Sequence, residues 1–183
     1  NRFFPDTSAY QIIISPLADK LSELSIPGVN QESAALKALV EDELEGAPGT
    51  YGIVIKNLRT GETYTQNAER QFQPASLYKL WVTAYAFELI NNGGLERDET
   101  VSRSIPEINR IFDIDEESAE QTEGTITRTV EEAIDQMITI CHNYSALLLS
   151  SELGNSKIGA NLRSLGLTSS RMGAPPVTTP GDI

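Results

Sequence analysis

Between Ser76 and Asn91 the chain reads SLYKLWVTAYAFELIN, and a helix built from it is apolar on nearly every side. Leu77, Leu80, Trp81, Ala84 and Phe87 fall on one face at helical spacing, while Val82, Ala86, Leu89 and Ile90 fill another. A helix of this kind belongs in the middle of a domain, with other elements packed around it. Pro74-Ala75 leads into it and Gly93-Gly94 closes it. The remaining sequence must supply the covering layers. A chain of 183 residues is enough for one domain, and at that size roughly 70% of the extended surface can be buried.

The candidate layers lie on both sides of this segment. Residues 1–30 read as irregular, with one short amphipathic stretch at Leu17, Leu21 and Leu24 that Pro27-Gly28 ends. Asn30 reads as the cap of a helix over 31–45, with Leu36, Leu39, Val40 and Leu44 as its apolar stripe and Gly46 as its stop. Strands are expected at 50–57 and 62–67 around the turn Leu58-Arg59-Thr60-Gly61. Ile53, Val54 and Ile55 are consecutive and apolar, so that strand is expected to be covered on both faces. Residues 95–128 are the least regular part. Thr129 with Glu132 forms a capping box, followed by Val130, Ile134, Met137, Ile138 and Cys141 on one side of a helix. Leucine-rich segments at 144–153 and 156–165 end at Gly154 and Gly166. The stretch 129–166 is expected to hold four helical segments, an all-α layer beside the hairpin. The organisation predicted is 1–30 irregular, 31–72 helix plus hairpin, and 73–183 mainly helical.

Charge and cysteine usage narrow the function classes. Fourteen Lys+Arg against 26 Asp+Glu give a net charge of −12, which phosphate backbones and anionic lipid repel. Neither nucleic acid nor membrane insertion is expected, and Ile12-Ile13-Ile14 is too short to cross a bilayer. A single cysteine excludes an internal disulfide and a multi-cysteine zinc site. The acidic run Asp113-Ile114-Asp115-Glu116-Glu117 lacks the glycine and the closing glutamate of a calcium loop. No metal or cofactor is expected. Tyr51, Tyr64, Tyr78, Tyr85 and Trp81 read as core or cleft wall. At the other end, Thr178-Thr179-Pro180-Gly181-Asp182 reads as the start of a helix. Since a two-stranded hairpin is marginal alone, a further segment or a second chain is expected to complete the sheet.

Two short segments carry the chemistry. In Ser76-Leu77-Tyr78-Lys79 the serine and lysine are three apart, so one helix face presents both. A lysine set against apolar surroundings loses some preference for its charged form and could take the serine proton. Alone, the tetrapeptide reads more simply as a capping serine and an exposed lysine. The second segment is Cys141-His142-Asn143, at a junction between helices. A cysteine nucleophile with a histidine base is a further reading, but adjacent helical residues do not face each other. In isolation the pair reads as a small buried cysteine beside a hydrogen-bonded histidine.

Taken together, the segments QPASLYK (73–79) and MITICHNYSALLL (137–149) resemble the active-serine and second motifs of class A β-lactamases and penicillin-binding proteins. That family carries S-x-x-K, S-D-N and a lysine-threonine-glycine strand. The resemblance extends over about residues 31–183. It implies an α+β fold, β-lactamase/transpeptidase-like, with an all-helical subdomain beside an antiparallel sheet whose C-terminal strands this chain lacks. It implies Ser76 as acylated nucleophile, Lys79 as proton acceptor or relay, and Asn143 as the residue that positions the substrate amide and hydrogen-bonds the lysine. The Ser76 amide would supply half of an oxyanion hole. β-Lactams or D-alanyl-D-alanine-type peptides would be the substrates and an extracytoplasmic compartment the location.

The departures matter equally. Cys141 stands where the family has a proton-shuttling serine, and His142 where it has an aspartate that holds the loop. The loop Leu167–Thr179, where the family carries a deacylating glutamate, contains no acid, so an acyl-serine should persist. The alternative from another class is a catalytically inactive binding or scaffold domain with the same fold.

Overall fold

The computed structural model describes residues 31–183 apart from Ala174. The expected stretch at Leu17, Leu21 and Leu24 and the expected cap Asn30 lie outside the described residues. The chain divides into two compact units, the first ending at Gln66 and the second running from Asn67 to Ile183.

The first unit holds β1 (Gln31–Glu32), α1 (Ala34–Glu43), β2 (Ile53–Lys56) and β3 (Glu62–Gln66). The helix starts later than its stripe suggests, because Ser33 is the cap and accepts from Leu36 N–H at 3.4 Å. Residues 31–32 instead pair in parallel with β3, giving the sheet order β1-β3-β2. The hairpin forms where expected, with Ile53 opposite Gln66 and Lys56 opposite Thr63. Asn57 Oδ1 shapes its turn by accepting from the amides of Arg59 and Thr60, and Gly61 supplies a φ of +77°. β2 is an edge strand covered on one face only: Ile53 and Ile55 are half-buried, while Val54 is 43% exposed. The expectation of two covered faces is corrected by the exposure of Val54.

The second unit is built around α2 (Tyr78–Asn91), which follows a single 3₁₀ turn at Ala75–Leu77. Behind it come β4 (Thr100–Ser104), α3 (Ile105–Ile111), β5 (Thr125–Thr129), α4 (Val130–Thr139), α5 (Asn143–Leu153) and α6 (Asn155–Ser164). α2 packs against α4, α5 and α6. Trp81 and Val82 from α2, Ile105 and Ile108 from α3, and Leu148 and Leu149 from α5 lie in one buried cluster. α2 is nevertheless not buried all round. Leu77 and Leu80 remain nearly half exposed and Ala84 is exposed, so the central helix leaves one apolar edge open.

The stretch read as irregular holds a second antiparallel pair, Thr100 opposite Thr129 through Ser104 opposite Thr125. Both strands are short and polar, and α3 sits between them in sequence, so no turn signal marks the hairpin. From 129 to 166 there are three helices and not four, since Gly154 both closes α5 and opens α6. The Thr129 capping box forms as expected: its Oγ1 accepts from Glu132 N–H at 3.1 Å and Glu132 Oε2 accepts from Thr129 N–H at 2.9 Å. α4 buries Val130, Ala133 and Met137, whereas Ile138, placed on the same side by spacing, is 45% exposed. Residues 180–182 form a turn in which Asp182 N–H donates to Thr179 O. The Asp182 carboxylate accepts from Ser169 N–H at 2.8 Å, tying this end to residues 167–170.

Candidate active site

Ser76 lies in the turn that precedes α2, and its hydroxyl is at the surface. The residue before it, Ala75, has a φ of +46°. A side chain in this left-handed region costs about 1–2 kcal/mol, so the surrounding structure must hold the serine turn in place. Nothing in the sequence marks this strain, because Ala75 is not glycine or asparagine.

Lys79 is the second residue of α2 and is only 2% exposed. Its Nζ donates to three acceptors: Cys141 O at 2.6 Å, Asn143 Oδ1 at 2.8 Å and Cys141 Sγ at 3.1 Å. The reading of an exposed lysine after a capping serine is therefore wrong. A buried amine needs hydrogen-bond partners; the link between α4 and α5 provides two and the first residue of α5 the third.

Cys141 sits in that link with a φ of +58°, and both its carbonyl oxygen and its sulfur face Lys79. The cysteine is exposed, not buried as its small apolar character suggested. Hydrogen bonds from the Ser76 hydroxyl, then from Lys79, together with the positive charge of Lys79, hold its thiol below the usual range, against an opposing effect of desolvation.

His142 holds the start of α5. Its Nδ1 caps α5, accepting from Ser145 N–H at 3.1 Å. Ser145 Oγ, 2.9 Å from that nitrogen, donates to Gln136 Oε1 at 2.9 Å. His142 N–H donates to Gln136 O at 3.1 Å. A ring nitrogen and a glutamine thereby fasten the segment to α4, and no Cys–His dyad forms.

Asn143 is the first residue of α5. Its Oδ1 accepts from Lys79, and its Nδ2 donates to Glu120 Oε1 at 2.5 Å. Glu120 carries no signal in the sequence; it arrives from the connection 112–124 between α3 and β5. Tyr78, between the two motif residues Ser76 and Lys79, has its phenol pushed up to about 12 by burial first, then by the negative charges of Cys141 and Glu120. The four expected residues therefore lie in the second unit, with Glu120 as an unforeseen neighbour and Tyr78, read from the sequence as core or cleft wall, beside them. The cluster sets the serine turn three residues before a buried amine bonded to a carbonyl, a sulfur and an amide oxygen, with an amide donor beside them. Among the described residues, no group of three or more His, Cys, Asp or Glu side chains could hold a metal ion, and no helix is long and apolar enough to cross a membrane.

An α+β frame with a serine–lysine turn on its central helix and an asparagine from the facing helix is the arrangement of β-lactamases and penicillin-binding proteins. The chain belongs to the β-lactamase enzyme family, whose model matches residues 33–182. Among solved structures it is similar to PBP-A, at 17% identity and a TM-score of 0.69, over 84% of this chain and 60% of that one. The same values hold for a point mutant of PBP-A, solved as an acyl-enzyme complex with penicillin G. An ancestral class A β-lactamase matches at 21% identity with a TM-score of 0.64, over 80% of this chain and 60% of that one. The chain thus spans about 60% of the length of these solved chains, and at such identities the likeness establishes the fold. No curated protein matches it in sequence.

Proposed function

We propose that this protein is a serine hydrolase or acyl-transferase that forms an acyl-enzyme at Ser76 with β-lactams or D-alanyl-D-alanine-type peptides. The observation that carries the reading is the buried Lys79 amine, three residues beyond Ser76 and paired with the Cys141 sulfur at 3.1 Å. A hydroxyl needs a neighbouring base to become a nucleophile, and this pair stands beside it.

In the acylation step, Ser76 Oγ bonds to the substrate carbonyl carbon and gives its proton to the Cys141–Lys79 pair. The carbonyl–nitrogen bond then breaks, and the leaving nitrogen takes that proton. The Ser76 amide would stabilise the developing oxyanion, an effect worth about 2.7–4 kcal/mol per donor in studied hydrolases. Asn143 would hold the substrate amide. The acyl-enzyme of the PBP-A mutant supports the reading, since a similar frame carries such an adduct in that protein.

Deacylation would be slow. Leu167–Thr179 has no carboxylate to activate water, and the next acid, Asp182, is engaged with Ser169 N–H. Cell-wall peptide chemistry in an extracytoplasmic compartment fits this slow turnover better than efficient antibiotic destruction.

The test is to incubate the whole protein with a penicillin and follow intact mass. A persistent adduct of one penicillin on Ser76, absent from Ser76→Ala, is expected. No adduct on the wild type overturns the reading and leaves a scaffold domain of the same fold.

A further inference from the structure

Resting on that reading, we infer that Glu120 is a positioning residue, whose carboxylate holds the Asn143 side chain in the orientation that keeps its oxygen on Lys79. An asparagine amide is nearly symmetric in shape, and only its partners decide which end points where. Here the decision comes from two sides. Lys79 Nζ donates to Oδ1 at 2.8 Å, and Glu120 Oε1 accepts from Nδ2 at 2.5 Å. A carboxylate only accepts, so an amide flipped end for end would set oxygen against oxygen at Glu120 and nitrogen against nitrogen at Lys79. The second N–H of the same amide stays available for a substrate carbonyl.

Glu120 can do this because the backbone beside it is anchored. Gln121 O accepts from Asn109 Nδ2 at 2.8 Å and lies 2.8 Å from the Tyr144 hydroxyl. Gln121 N–H donates to that hydroxyl at 3.3 Å, and the hydroxyl meets Asn109 Oδ1 at 2.8 Å. Tyr144 is 2% exposed and directly follows Asn143 in α5. One helix turn therefore fixes the acid through Tyr144 and receives it through Asn143. The run of acids around Glu120 needs no role of its own in this arrangement.

A mutant cycle in the whole protein tests the inference. Glu120→Ala should slow penicillin acylation of Ser76 by up to about 100-fold, as misplaced site groups do, with little change in melting temperature. Glu120→Gln keeps an acceptor oxygen and should restore most of the rate. Glu120→Ala combined with Asn143→Ala should be no slower than Asn143→Ala alone. An unchanged rate in Glu120→Ala, no rescue by Glu120→Gln, or additive losses in the double variant each overturn the proposal. If the wild type takes no penicillin, the acyl-enzyme reading fails separately. The side-chain amide resonance of Asn143 then decides: it should move in Glu120→Ala, and an unmoved resonance overturns the positioning role.

Discussion

Lys79 Nζ and Cys141 Sγ lie 3.1 Å apart, a contact between a buried amine and an exposed thiol. The hydroxyl and the amine act on the sulfur together, so its reactivity reports on the state of the whole cluster.

Alkylation of Cys141 by iodoacetamide should therefore have its pH midpoint below the range of about 8.5 typical of a free thiol. A lowered thiol pKa means that thiolate persists at lower pH, so the reaction near neutrality is faster than for an unperturbed cysteine. Ser76→Ala and Lys79→Met should each move the midpoint upward. A wild-type midpoint at or above the free-thiol range contradicts the geometry.

Replacing the sulfur should separate proton transfer from folding. Cys141→Ala is expected to slow acylation by about 100-fold or more, the usual worth of a positioned acid–base group. Cys141→Ser keeps a proton-passing group and should lose less. Time courses of intact mass give both rates, and equal rates in all three proteins would remove sulfur from the proton path.

Tyr78 should titrate late. Its phenol is held up to about 12 from an ordinary value of 10.0, so the folded state favours the neutral form. The stabilisation this provides is fully present below about pH 10 and is lost as the pH rises through about 12. Ultraviolet difference titration should show one late tyrosine that Tyr78→Phe removes.

Relieving the backbone before the nucleophile should stabilise the protein. Ala75→Gly replaces a residue at φ +46° and is expected to add about 1 kcal/mol of stability, less the entropy glycine costs in the unfolded chain. Ala75→Val should act in the opposite direction. Chemical denaturation measures both, and a destabilised Ala75→Gly would show that the turn carries no strain.

The cap of α4 offers a control remote from the chemistry. Thr129→Ala breaks the reciprocal bonds with Glu132 and should cost about 1 kcal/mol. A melting curve measures that loss, and an unchanged stability would mean the capping box contributes nothing.

The parts legible in sequence are those set by local chemistry. The Ser76-Lys79 spacing, the Thr129–Glu132 box and the hairpin around Gly61 each depend on residues a few positions apart. The family likeness brings Cys141 and Asn143 to Lys79, which no spacing within a helix could do. What stays hidden depends on long-range pairing. Thr100–Ser104 and Thr125–Thr129 are polar strands joined through a helix, and neither alternates strongly enough to announce a sheet. Glu120 reaches Asn143 from 23 positions away, through a loop whose other acids read only as an incomplete calcium site. The open edge at Leu77, Leu80 and Ala84 escapes the sequence because apolar spacing shows which side of a helix can be covered, not which side is.

Gln136 accepts from Arg128 Nε, Ser145 Oγ and His142 N–H through its side-chain and main-chain oxygens. It works as a hanger from which the segment 142–145 is suspended. A substitution there would touch no reacting atom, yet the sulfur and the amide would lose their common mount and drift independently. Wear in this candidate cluster would begin at its bracket, well before any of its chemical groups was altered.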